Sequence, residues 1–172
     1  MHKVIEKLLP TSYFLEIKNL VDSDNFPWFW QNDQINGYKL DASAFGFSHT
    51  LFKDGEIKSD AFALFKPIVH IFEEKCNLKV KDVFRMQLNL MTRTQEFEIE
   101  QSNHMDINMP NYTSFILYLD HADGDTVIEN EHKVTPMDNR CVFFKSTTIH
   151  RATPPQESKK RMVLNVVLET YE

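Results

Sequence analysis

The sequence predicts an α+β fold in which helices come first and short strands follow, the β part being a sandwich or jelly roll. Two observations carry this reading. Up to about residue 76 the apolar residues recur at helical spacing, and after residue 80 the period changes from 3.6 to 2. Turn-forming clusters then break the chain into short segments, the pattern of a layered antiparallel sheet. The length of 172 residues supports one domain, 1–172, with 1–80 as mostly helical support and 81–172 as the β core.

The first helix is expected after Thr11 or Ser12 as cap, with Tyr13, Phe14, Ile17, Leu20 and Val21 on one face. Asp22-Ser23-Asp24-Asn25 ends it. Phe26-Pro27-Trp28-Phe29-Trp30 follows, dense in aromatics, and reads either as a lid or as packing of a helix onto a sheet. A second helix spans 59–76, with Ser59 as cap and Ala61, Phe62, Phe65, Ile68, Val69, Phe72 and Cys76 as its apolar stripe. Pro67 should kink it or split off its first turn. His49 and His70 read as structural.

In the strand at 83–93, Phe84, Met86, Leu88 and Leu90 alternate with Arg85, Gln87, Asn89 and Met91. On pattern alone, the face carrying Arg85, Gln87 and Asn89 is a solvent face. Strands at about 112–120, 125–130, 140–145, 147–152 and 161–169 follow. His121-Ala122-Asp123-Gly124, Pro136-Met137-Asp138-Asn139 and Thr153-Pro154-Pro155 supply turns between them.

Composition excludes several functions. Lys plus Arg is 19 against 25 Asp plus Glu, a net charge of −6, which argues against a dedicated nucleic-acid binder. The 4 glycines are too scattered for a phosphate-cradling loop. Cys76 and Cys141 form no CxxC and read as reduced thiols. There is no signal-peptide stretch and no apolar run long enough to span a bilayer, so a cytoplasmic protein is expected, with no membrane partner.

Three residues carry the chemistry. His104 and Asp106, at i and i+2, would project to one side of a strand, and His150 ends the strand of Val142-Phe143-Phe144. Two His and one carboxylate on one face of a metal leave positions open, the facial triad of non-haem Fe(II) oxygenases. A lone HxD is weak evidence, and the chain holds a second, His121-Ala122-Asp123, beside the Gly124-Asp125 turn. That second motif reads as a solvated loop. Arg161 opens the last strand. Its guanidinium can grip the far carboxylate of a metal-chelating co-substrate, while Lys159 and Lys160 fit a basic turn in water.

Taken together, these segments resemble the Fe(II)/2-oxoglutarate-dependent dioxygenases, in particular the prolyl-hydroxylase-like branch and its small phage-encoded members. The resemblance rests on His104-Met105-Asp106, on Phe115 to Asp120 followed by Gly124-Asp125-Thr126, on Val142-Phe143-Phe144 with His150 to Pro154, and on Arg161. It implies a double-stranded β-helix (jelly roll) with the N-terminal helices packed on one sheet, and Fe(II), 2-oxoglutarate and O2 as cofactor and co-substrates. His104, Asp106 and His150 would be the iron ligands. Arg161 would bind the distal carboxylate of 2-oxoglutarate, helped by Tyr118. Ser114, Asn165 and Asn89, with Gln87, would line the same pocket, so the polar face of strand 83–93 turns from solvent to cavity. Asp120 stands where the family usually has Asn, and Gly124-Asp125-Thr126 resembles the family's Gly-Gly-x-Thr turn with one Gly missing.

The implied activity is hydroxylation of a peptide, amino acid or small metabolite, with release of succinate and CO2. The host cytoplasm would be its place if the protein is phage-encoded. Alternatives are a nucleic-acid base demethylase of the same superfamily and a non-catalytic metal-binding jelly roll. Arg85 could contact substrate or pair with Glu98 or Glu100. The acidic stretch Gln95–Asn103 is either a mobile loop favouring a basic substrate or a solvated edge. The residues leave substrate and oligomeric state open.

Overall fold

Strand alternation builds the architecture. The computed structural model describes residues 2–31, 46–93, 103–129 and 131–171. In chain order its elements are β1 (His2–Ile5), α1 (Thr11–Val21), β2 (Phe29–Gln31), β3 (Gly46–Lys53), β4 (Glu56–Ile57), α2 (Phe62–Phe65) and α3 (Pro67–Cys76). They continue with β5 (Val80–Thr92), β6 (Tyr112–Tyr118), β7 (Thr126–Ile128), β8 (His132–Val134), β9 (Cys141–Lys145), β10 (His150–Ala152) and β11 (Lys160–Thr170). The main antiparallel sheet runs β1-β9-β6-β11-β5-β3-β2, with β4 paired to β3, and a small sheet runs β10-β7-β8. The two sheets make a jelly roll.

The three central strands are two-faced. Met86 and Leu88 of β5, Phe115 and Leu117 of β6, and Met162, Leu164, Val166 and Leu168 of β11 join one apolar cluster with the helices. Phe72 of α3 stacks on Phe115 at 4.3 Å between ring centroids and meets Phe143 edge-on at 5.3 Å. The opposite faces carry Ile116, Tyr118 and Val163, which join Ile128, Val134, Val142 and Phe144 in a second cluster between the sheets. Because the side-chain period is two, helix packing and the space between the sheets are served by alternate residues of the same strands.

Several elements differ from expectation. The first 80 residues, expected to be mostly helical, also supply β1 to β4. β1 and β2 are short edge strands, paired on one side only, so neither needs strong alternation. β3 is interior, but its buried Ser48 and His49 break its apolar pattern. His49 is held by the Pro27 carbonyl and Ser59 Oγ, both at 2.7 Å, and His70 is exposed beside Glu73. Thr11 is the first helical residue of α1 rather than its cap; the Pro10 carbonyl accepts the first bond, from Phe14 N–H, at 2.9 Å. Pro67 splits the second helix outright, as the N1 residue of α3. Of the aromatic cluster, Trp28 packs inward and donates to the Val21 carbonyl at 3.2 Å, whereas Phe29 and Trp30 are exposed. No helix among the described residues is long and apolar enough to cross a membrane.

Asp120, just past β6, turns its carboxylate onto the backbone N–H of Met162, 3.0 Å from each oxygen. Burial pushes its carboxyl up to about 6, against the opposing pull of that N–H and of Arg161. The folded state therefore holds a proton that the unfolded chain releases, and stability should fall as pH rises from about 4 to about 6. Asp120→Asn removes the titration and keeps an acceptor. It is expected to stabilise the protein by up to about 3 kcal/mol at pH 7 and to lose that advantage below about pH 4. Urea denaturation across that range checks this; a pH-independent difference would refute it.

Candidate active site

One antiparallel bridge brings the two halves of the site together. His104 N–H donates to the His150 carbonyl at 3.0 Å, and His150 N–H returns a bond to the His104 carbonyl at 2.9 Å. The segment expected to be a strand through His104 and Asp106 is reduced to this bridge, after which the chain bends. The bridge sets the two imidazoles 4.3 Å apart between centroids. Asp106 follows, and one donor atom from each of His104, Asp106 and His150 lies within 4.8 Å of the others. Among the described residues no other group of His, Cys, Asp or Glu meets that condition.

The surroundings prepare these groups for a cation. His150 is buried and its Nδ1 lies 3.0 Å from the Thr148 carbonyl. A carbonyl can only accept, so Nδ1 carries the proton and Nε2 is left as a lone-pair donor. That Nε2 lies 3.7 Å from Asp106 Oδ2. Asp106 Oδ1 receives Arg85 Nη2 at 2.6 Å, whereas the buried Oδ2 has no hydrogen-bond partner. A buried carboxylate oxygen left bare beside two imidazoles fits a metal ion, which would satisfy it. Burial alone would push the Asp106 carboxyl up; His150, Arg85, the nearby Ser114 hydroxyl and His104 outweigh it and hold the group below its usual range.

A cavity of about 480 Å³ opens beside the triad. Its floor carries Arg161, fully enclosed between the sheets, whose Nε donates to the Gly124 carbonyl and Nη2 to Thr126 Oγ1, both at 2.7 Å. The guanidinium lies 5.7 Å from the Tyr118 ring centroid. Its five N–H donors outnumber these two bonds, so they orient it without exhausting it. Asn89, Gln87, Asn165 and Arg85 line the cavity, and the polar face of β5 points into it. Met105 and Ile149 make an exposed apolar rim.

Two residues expected to line the pocket do not. Tyr118 is fully buried behind it, and its hydroxyl donates to Thr126 Oγ1 at 2.8 Å, with the Val134 carbonyl at 3.3 Å. Burial pushes that hydroxyl up to about 12, so it stays a donor. Ser114 is also fully buried, behind Asp106, and bonds Ser146 Oγ at 2.8 Å. Alternation correctly gave the face of both residues but not their depth beneath it. Arg85 pairs with Asp106, whereas Glu98 and Glu100 lie outside the described residues, as does most of the acidic stretch Gln95–Asn103.

The second HxD is more than a solvated loop. Asp123 accepts three backbone N–H groups, from Gln156, Glu157 and Ser158, each at 2.9 Å, and so shapes the turn before β11. Partial burial raises its carboxyl, but these donors outweigh it and hold the group well below the usual carboxylate range. Thr126 was not singled out from the sequence as a pocket residue. It accepts from both Tyr118 and Arg161, which leaves its own hydroxyl proton for the cavity it lines. The signal for it was the Gly-x-Thr spacing.

With this geometry in view, residues 86–168 match the model of the 2OG-Fe(II) oxygenase superfamily. Over that segment the chain is similar to that superfamily. No curated protein matches it by sequence. Its fold is shared with a Pseudomonas putida prolyl-4-hydroxylase, at 14% identity and TM-score 0.63, covering 99% of this chain and 92% of the other. A Trichoplax adhaerens prolyl hydroxylase, solved with a hypoxia inducible factor oxygen degradation domain peptide fragment, gives 16%, 0.69, 98% and 83% in the same order. The epimerase SnoN from nogalamycin biosynthesis gives 10%, 0.70, 98% and 78%. Members of that superfamily need Fe(II), 2-oxoglutarate and O2, and the cluster of His104, Asp106 and His150 fits the metal.

Gly124 shows how tightly the floor of the cavity is built. A Cβ there would lie 2.4 Å from the Thr153 carbonyl oxygen and 2.9 Å from Pro155 N, both backbone atoms. Only glycine lets the turn that presents its carbonyl to Arg161 lie against the Thr153–Pro155 segment. Gly124→Ala is expected to cost about 1–3 kcal/mol, as overpacking does. A melting temperature equal to wild type would contradict this close approach.

Proposed function

We propose that the protein hydroxylates a peptide, amino acid or small metabolite, with His104, Asp106 and His150 holding Fe(II) and Arg161 holding the distal carboxylate of 2-oxoglutarate. The observation that carries this reading is the bare Oδ2 of Asp106, buried beside two imidazoles in the cavity whose floor is a buried guanidinium. When bound, iron with 2-oxoglutarate and O2 supplies the oxidising chemistry and yields succinate and CO2.

The chain's own residues do the rest. The Thr148 carbonyl fixes the tautomer of His150 and keeps Nε2 turned toward Asp106. Arg161 supplies a buried cation, a planar guanidinium that can bind a carboxylate through two hydrogen bonds, and Thr126 adds a hydroxyl proton beside it. Tyr118 acts from behind by donating to Thr126 and supporting the guanidinium with its ring. Gln87 and Asn89, joined by a 2.8 Å bond, line the cavity and can orient a substrate through hydrogen bonds. The exposed Met105 and Ile149 offer apolar contact to a substrate that reaches beyond the cavity.

The test is succinate formation. Protein purified without oxygen, given Fe(II) and 2-oxoglutarate and then O2, is expected to release succinate even without substrate. Tight iron binding without any succinate would favour a non-catalytic metal-binding module. His150→Ala should abolish Fe(II) binding. Arg161→Ala should weaken 2-oxoglutarate binding about 10- to 100-fold, the worth of a hydrogen bond to a charged group, while iron still binds. Unchanged co-substrate affinity would remove Arg161 from that role.

A further inference from the structure

Arg85 is the one cation in direct hydrogen-bonding contact with the Asp106 carboxylate among the described residues. We infer that it is a positioning residue that keeps Asp106 a single-oxygen ligand, by occupying Oδ1 and leaving only Oδ2 for the metal. The inference rests on the assignment of Asp106 as an iron ligand.

The geometry divides the carboxylate in two. Arg85 Nη2 lies 2.6 Å from Oδ1 and 3.2 Å from Asn165 Oδ1, so the guanidinium is anchored between the two acceptors. Asp106 is 2% exposed at its side chain and Arg85 13%, so water competes little for the bond. Oδ2 faces His150 Nε2 at 3.7 Å and has no other partner. A carboxylate free to rotate could offer both oxygens to a metal and consume a position that the co-substrates need. With Oδ1 committed to a charge-assisted bond, rotation would break that bond and leave a buried guanidinium unpaired. β5 places Arg85 for this task, because its alternation turns Arg85 to the cavity face with Gln87 and Asn89.

The opposite reading predicts the opposite sign. If Arg85 merely neutralised Asp106 until a metal arrived, it would compete with that metal, and its loss would tighten metal binding. If it fixes the carboxylate, its loss should weaken binding and change the coordination. Arg85→Met removes charge and donor; Arg85→Gln removes the charge and keeps an N–H donor. The probe is Co(II), bound anaerobically to the full chain and followed by its visible d–d bands, with the charge-transfer band of the Fe(II) and 2-oxoglutarate form as a second readout.

The expected result is that Arg85→Met binds Co(II) about 10- to 100-fold more weakly, the usual cost of losing a residue that orients a metal ligand, with an altered d–d spectrum. Arg85→Gln should stay within a few-fold of wild type with the native spectrum. Arg85→Met binding Co(II) as tightly as wild type or more tightly would overturn the inference; if Arg85→Met fails to fold, an Arg85→Gln that binds more tightly than wild type or loses the native spectrum overturns it. Wild-type protein that binds neither metal would instead overturn the site assignment itself, and so separates the two failures.

Discussion

Two backbone hydrogen bonds between His104 and His150 set the position of everything chemical in this protein. Without them the segment after β5 would leave the sheet and carry Asp106 away from His150. The bridge belongs to no long ladder, so the surrounding structure must hold it. On one side β10 pairs with β7; on the other, Ile107 N–H reaches the Ser146 carbonyl at 3.4 Å. The candidate ligands are therefore fixed by the closure of the small sheet onto the large one, and not by the stiffness of their own strand.

The same strands that stabilise the fold also build the site. One face of β5, β6 and β11 shares a single buried apolar cluster with residues of α1 and α3, and burial of that cluster is the main favourable term available to the chain. The other face can then afford polar residues in the interior. Placing Arg85, Asn165 and Arg161 there costs desolvation, and each is compensated by a named partner: Asp106 for Arg85, Arg85 for Asn165, and Gly124 with Thr126 for Arg161. Among the described residues, Asp106 Oδ2 is a buried carboxylate oxygen without a hydrogen-bond partner. A buried carboxylate oxygen without a partner is costly unless another ligand satisfies it.

The floor of the cavity is organised from behind. Gly124, Thr126 and Tyr118 each touch Arg161, and Asp123 folds the turn from which β11 starts. None of these contacts is long in space, but they join segments well separated in the chain. Asp123 thus bears on the position of the guanidinium without touching it.

How much of this was legible in the amino-acid sequence follows from where each signal is local. Period-two alternation is a property of neighbouring residues, so β5, β6, β9 and β11 could be read directly, along with the split at Pro67 and the triad with Arg161 as candidates. β1, β2 and β8 could not, because a three- or four-residue edge strand is held by its partner rather than by its own pattern. The sequence by itself determined which face of each central strand is polar and which residue types could meet a metal. Only the tertiary structure decided that Tyr118 and Ser114 stand behind the cavity, that Arg85 chooses Asp106, and that Asp123 ties a turn. Depth and pairing depend on which strand lies opposite, and that is a long-range contact no local spacing encodes.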